Sequence, residues 1–165
     1  MRIQLHGLSE GEHRFSASLN PAELEMNPEQ FSRSIDTEIL IDQRGLNYYM
    51  KIHTSTVGYF TCDRCLTGFD EPLEGDISIL YTDDESLWTE GMDDELRRVP
   101  KSGEEIDISP DIRDAVLLLI PIKNICHNGC KGLCPRCGKN LNVETCLCST
   151  RVIDPRWEVL KKLKF

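Results

Sequence analysis

The order of hydrophobic and polar residues along the chain alternates over its first part, as strands do, and changes to helical spacing only near residue 110. MRIQLHGL alternates, with Ile3, Leu5 and Leu8 facing one way. NPAELEMNPEQF (20–31) carries two prolines and reads as a loop with at most one helical turn. SIDTEILI and NYYMKIHTSTVGYF alternate around DQRGL and are rich in Ile, Tyr, Thr and Val, which predicts a long hairpin with Gly45 supplying the positive φ of its turn. After TCDRC, the run TGFDEPLEGDISILYT predicts a further extended pair, broken at Pro72 and Gly75. Residues 83–107 hold ten acidic side chains and read as a solvated loop, or alternatively as an acidic arm for a basic partner.

Helical signals follow. Ser109 is placed to cap, Pro110 to occupy the first position, and Asp111 and Asp114 to sit at the positive end of the dipole. Beyond Arg113 the segment is apolar nearly all round, so a buried helix over 110–121 is expected, ended by Pro121. A last helix is expected from Asp154 and Pro155, with Trp157, Val159, Leu160 and Leu163 inward and Lys161, Lys162 and Lys164 in water. The expected fold is therefore α+β: mainly antiparallel β-sheet with one buried helix and a cysteine-rich, zinc-binding C-terminal segment followed by a short helix. The expected division is an acidic, mostly-β body over 1–122 and a metal-binding segment over 123–165, packed on that body.

Charge sharpens this division. Residues 1–122 carry 25 acidic against 10 basic side chains, whereas 123–165 carry 3 against 9. A Zn²⁺ held by four thiolates is formally −2, which removes part of the tail's positive excess and leaves a weak phosphate trap. The start lacks the apolar core of a signal peptide, and the longest apolar run, AVLLLIPI, is too short to span a bilayer. A soluble, cytoplasmic protein is expected.

In a reducing compartment, clustered thiols hold metal or do redox work more often than they form disulfides. Six of the eight cysteines fall within residues 126–148, and two more form CDRC at 62–65. CPRCG is a strong metal hook, because Pro135 stiffens the turn and Gly138 permits a left-handed exit. The most economical completion joins Cys134 and Cys137 to Cys146 and Cys148, leaving Cys62, Cys65, Cys126 and Cys130 for a second site that ties the sheet to the end of the buried helix. Two rival pairings remain open: Cys62 and Cys65 with Cys134 and Cys137, or Cys126 and Cys130 with Cys134 and Cys137. Spacing alone does not separate them, and a single site with spare thiols is also compatible. The expected cofactor is one or two structural zinc ions, with iron second.

An all-thiol shell is closed, whereas catalytic zinc keeps an open position beside a general base. The chain has no H-x-E of the kind zinc deaminases pair with P-C-x-x-C, and TCDRC lacks the helix start of a thioredoxin-type site. His127 could substitute as a ligand, though loop solvation is the plainer reading. His6, His13 and His53 read as ordinary strand histidines. No catalytic residue is assigned and a non-enzymatic protein is expected; the rival class is a thiol oxidoreductase or a metal-dependent enzyme acting on RNA.

TCDRCL, SPDIRDAVLLLIPIK, CKGLCPRCGKNLN with its later C-x-C, and DPRWEVLKKL occur in this order between Thr61 and Leu163. Together they resemble the YceD family, also called domain of unknown function 177. The resemblance implies a bacterial or plastid protein needed for normal accumulation of large-subunit ribosomal RNA. In this family the gene commonly neighbours that of a small large-subunit ribosomal protein. Some members lack the second cysteine cluster, which implies that metal props the fold, and no catalytic residues carry over. The expected partners are a large-subunit ribosomal protein, large-subunit rRNA or both, with no membrane and no small-molecule substrate. The acidic body fits a basic protein partner, with the basic tail nearer RNA.

Overall fold

A computed structural model describes residues 1–5, 7–88, 96–99, 105–148 and Arg156. Its centre is a meander of β3 (Ile35–Arg44), β4 (Asn47–Thr61) and β5 (Gly68–Thr82), all antiparallel. Arg44 lies opposite Asn47, so the hairpin turns on Gly45 and Leu46 alone, and Gly45 has the expected positive φ of 61°. Strict alternation puts Ile35, Ile39 and Ile41 of β3, and Met50, Ile52 and Phe60 of β4, on one buried face. Each such side chain contributes about 1.5–3 kcal/mol on burial.

β5 corrects the expectation of a pair broken at Pro72 and Gly75. It is one strand, in register with β4 from Thr82 opposite Asn47 to Gly68 opposite Thr61. Its other edge meets β6 (Leu96–Arg98), in parallel, only at Leu80–Thr82. Pro72 thus lies on an edge stretch, where a proline is tolerated. Gly75 serves packing: a Cβ there would come within 2.4 Å of Leu119 Cδ2, so the glycine leaves room for the Leu119 side chain on the strand.

β2 (Gly11–Leu19) completes the five-stranded sheet beside β3 and has no counterpart in the sequence reading. Its inward positions are half-buried, so its alternation is weak. The initial alternation shrinks to β1 (Arg2–Gln4), which pairs antiparallel with β7 (Glu105–Asp107) and sets buried Ile3 against buried Ile106. Both β6 and β7 fall inside 83–107, so that stretch is not wholly a solvated loop: Leu96 and Ile106 each anchor a short strand.

The helix α1 (Ser109–Leu118) packs on β4, β5 and the 3-10 turn Pro21–Leu24. That turn starts at Asn20, whose side chain accepts the Ala22 N–H. α1 departs from expectation at both ends. Ser109 is already helical and Ile108 takes the N-cap position, which has no side-chain cap bond, while the Ser109 N–H donates to Asp107 Oδ1 at 2.9 Å just outside the helix. The Ser109 hydroxyl instead accepts from the N-terminal amine. The helix stops at Leu118, before the expected 121, and only one stripe is buried: Ile112, Ala115 and Val116 face the sheet, while Leu117 and Leu118 are exposed. Asp111, expected to act only through the dipole, is buried and binds Tyr81 and Arg97.

The expected closing helix from Asp154 lies outside the described residues, Arg156 apart. Among the described residues no helix is long and apolar enough to cross a membrane.

Candidate metal centres

The turn between β4 and β5 builds the first centre. The Cys62 N–H donates to Thr67 O and the Leu66 N–H to Cys62 O, each at 2.9 Å, and Leu66 takes a left-handed φ of 57° to close the loop. This aims Cys62 and Cys65 at the chain leaving α1. Asp63 holds that chain twice, since its N–H donates to Asn124 O and its carboxylate accepts the Asn124 N–H, both at 2.8 Å. Cys126 and Cys130 then arrive opposite the turn. Sγ of Cys62 lies 3.9 Å from that of Cys130, and Sγ of Cys65 lies 3.6 Å from that of Cys126.

The second centre follows along the chain. The Gly138 N–H donates to Cys134 O at 2.9 Å and the Cys134 N–H to Lys139 O at 2.8 Å, with Gly138 at a φ of 71°. A turn at Asn140–Glu144 brings the chain back. Sγ of Cys146 then lies 3.3 Å from that of Cys134 and 3.6 Å from that of Cys137, and Cys148 completes the group.

The structure therefore gathers the eight cysteines as Cys62, Cys65, Cys126 and Cys130, and as Cys134, Cys137, Cys146 and Cys148. Within each group the sulfurs lie within 4.8 Å of one another. The two rival groupings are not those the sulfur positions show. A tetrahedral Zn²⁺ with Zn–S bonds of about 2.3 Å sets its sulfurs about 3.8 Å apart, and the separations of 3.3 to 3.9 Å fit that shell.

Hydrogen bonds favour thiolate at Cys62 and Cys65 in the first group, the latter chiefly through Thr67, and at Cys134 in the second. The Cys126 N–H does most to bring the Cys62 thiol down to about 6, helped by those of Cys65 and Arg64 against burial. The N–H groups of Cys137 and Arg136 bring Cys134 to about 6 in the same way. Burial first, then hydrogen bonding to neighbouring sulfurs, pushes Cys126 up to about 12, and hydrogen bonding to Cys146 and Cys137 pushes up Cys148. A cation entering either group displaces the protons its thiols still carry.

The two groups differ in depth. Cys62, Cys65 and Cys130 are buried, whereas Cys137 and Cys148 are exposed. They are joined by residues the sequence reading passed over. Asn142 donates to Cys130 Sγ at 3.4 Å while its Oδ1 accepts the Lys131 N–H at 2.8 Å. Asn140 donates to Thr67 Oγ1 at 3.1 Å, and Leu133 N–H donates to Arg64 O at 3.0 Å. Gly132 has a φ of 74°, and a Cβ there would touch Arg64 O at 3.0 Å. The string GLCPRCGKNLN was quoted for its cysteines, but its two asparagines carry this second layer.

His127 is exposed, with Nδ1 3.1 Å from Cys126 Sγ and outside both four-sulfur groups. His13 bonds Ser9 O, and His53 faces Asp76 and Glu74 on the far side of the sheet. His6 lies outside the described residues.

Comparison with known proteins agrees with the motif order. The family model described as "Large ribosomal RNA subunit accumulation protein YceD" matches residues 50–164. A protein of Arabidopsis thaliana named large ribosomal RNA subunit accumulation protein YCED homolog 1, chloroplastic, is 45% identical over 65 residues, covering 39% of this chain and 20% of its own. The protein of the same name from Zea mays is 47% identical over 62 residues, 37% of this chain and 21% of its own. An uncharacterized protein of Mycobacterium tuberculosis is 35% identical over 113 residues, 66% of this chain and 50% of its own. The matched stretches thus span about a fifth of the plant relatives and half of the mycobacterial one. No solved structure matches.

Proposed function

Because the chain belongs to the YceD family of large ribosomal RNA subunit accumulation proteins, we propose that it is a non-enzymatic, cytoplasmic factor supporting large-subunit rRNA by binding a ribosomal protein. The observation that carries the non-enzymatic part is the pair of closed four-sulfur cages. A full thiolate shell leaves no coordination position for water or substrate, so zinc held there organises the chain and does not act on a bond. The eight cysteines named above are its ligands. The acidic body, with 25 carboxylates against 10 cations before residue 123, favours a basic protein over a bare polyanion as the direct partner.

The test is withdrawal of the protein from growing cells, followed by the ratio of large- to small-subunit rRNA. The ratio is expected to fall, and to recover with the wild-type chain. An unchanged ratio contradicts the proposal.

A further inference from the structure

The core side of the large sheet is covered by α1 and by the β1–β7 pair, while on its other face the described residues add only Leu87 of the 3-10 turn Glu85–Leu87 and Leu96 of β6, at the Tyr49 end. On that face the register sets Glu12 opposite Asp42, Glu38 opposite His53 and Asp76 beyond, and Asp36 opposite Ser55 and Glu74 beyond. Lys51, Arg14 and Arg44 are the cations of this face, and Arg44 pairs with Asp42 at 2.6 Å while its guanidinium lies 5.8 Å from the centre of the Tyr49 ring. Lys51 is engaged with Asp76 at 3.6 Å, and His53 with Asp76 at 3.1 Å and Glu74 at 3.5 Å. Among the described residues Asp36 and Glu38 make no ion pair within 4 Å, and Glu38 shares a hollow with Arg14, Lys51 and His53. Apolar side chains punctuate the charge, with Tyr49 and Tyr59 45% and 53% exposed.

The face is grooved. Hollows of 390, 450 and 490 Å³ share walls across it: the first and second meet at Glu38 and His53, and the first and third at Leu40 and Lys51. Together they form a trough running over the middle strands, lined by carboxylates, with the Tyr49 ring at one end.

We propose that this open face is the docking surface for an extended, Lys/Arg-rich segment of a large-subunit protein. The inference rests on the accumulation role proposed above and deepens it by naming the surface and the chemistry of the partner. Proteins that pack rRNA neutralise phosphates with lysine and arginine, and before assembly those cations lack counter-charges. A sheet face with spaced carboxylates offers replacement anions, and exposed Tyr59 can receive aliphatic stems and guanidinium planes as Tyr49 already receives Arg44. The same carboxylates repel RNA, so the face selects the protein over the nucleic acid it later joins.

The test uses the full chain and a fluorescent peptide in which lysine and arginine alternate with valine. One variant combines Asp36→Asn, Glu38→Gln, Glu74→Gln and Asp76→Asn. A charge-matched control combines Glu10→Gln, Glu23→Gln, Glu25→Gln and Glu29→Gln, which lie off this face. The face variant is expected to lose about tenfold in affinity and the control to stay within about twofold, because only the former removes contacting charges. Equal losses in the two variants, no loss in either, or wild-type preference for an rRNA fragment over the peptide each overturn the proposal. In cells depleted of the protein, full rescue of the rRNA ratio by the face variant defeats the docking surface while leaving the accumulation role standing. A ratio that never fell on depletion defeats that role itself.

Discussion

Cys62→Ser is expected to release the cysteine-rich segment from the sheet and to remove one of two bound metals. Cys62 has no exposed surface, and its neighbours' N–H groups favour its thiolate. Serine leaves three ligands and a hydroxyl that does not ionise near neutral pH. Structural zinc contributes about 10–16 kcal/mol to the folding of isolated finger peptides, so its loss far exceeds what the hydrogen bonds of Asp63 to Asn124 and of Arg64 to Leu133 can retain. Cys126 and Cys130 should then alkylate rapidly, and proteolysis should open the chain just after α1. Cys148→Ser makes the contrast. Its thiol is exposed at the outer cage, so one metal should be lost while Cys62, Cys65, Cys126 and Cys130 stay slow to alkylate. Loss of both metals in both variants would mean that the cages are not separate sites.

The second large effect is expected at Asp111. This carboxylate is 2% exposed, accepts the Tyr81 hydroxyl at 2.5 Å and pairs with Arg97 Nε at 3.1 Å. Burial, followed by the bond to Asp111, raises the Tyr81 pKa above its usual range, so the phenol stays protonated and donates. Asp111→Ala leaves the Tyr81 hydroxyl without its acceptor and Arg97 without this carboxylate. Arg97 is about a third exposed and can turn toward water, which keeps the loss near 3 kcal/mol, at the low end for a broken buried pair. Tyr81→Phe, which removes only the donor, should cost about 1 kcal/mol. Denaturant midpoints at constant m-value measure both. A loss below about 1 kcal/mol for Asp111→Ala would show that the triad does not hold α1 on the sheet.

What the sequence made legible follows from how local each cause is. The β3–β4 hairpin was readable because its alternation is strong and a glycine sits at a two-residue turn. The helix start was readable to within a residue, but the N-cap fell on Ile108 and the Ser109 N–H went to Asp107, whose place is set by pairing with β1, which no local signal reports. The exposure of Leu117 and Leu118 was hidden for a related reason: an apolar helix shows that there is something to bury, not how wide the sheet beneath it is. Pro72 and Gly75 read as breaks because the free edge of β5 and the approach of Leu119 are tertiary facts. β2 was passed over because its half-buried positions give weak contrast.

In the cages, the residue type and the most economical pairing were legible, and the exclusion of the two rival pairings was not. CPRCG announces a metal hook through local turn chemistry, yet which cysteines join it depends on where the β4–β5 turn delivers Cys62 and Cys65. That position depends on a fifteen-residue strand pairing. The asparagines at 140 and 142 look like loop residues until their partners, Thr67 and Cys130, are seen beside them.

Two four-sulfur groups within residues 62–148 could each hold a metal ion. The most direct measurement is metal analysis of the protein purified without chelator, paired with thiol counting on the same sample. Two equivalents of zinc per chain, with all eight thiols reduced and slow to react until a chelator is added, is the expected result. Protein whose eight thiols are reduced and immediately reactive, and which carries neither zinc nor iron, would contradict it.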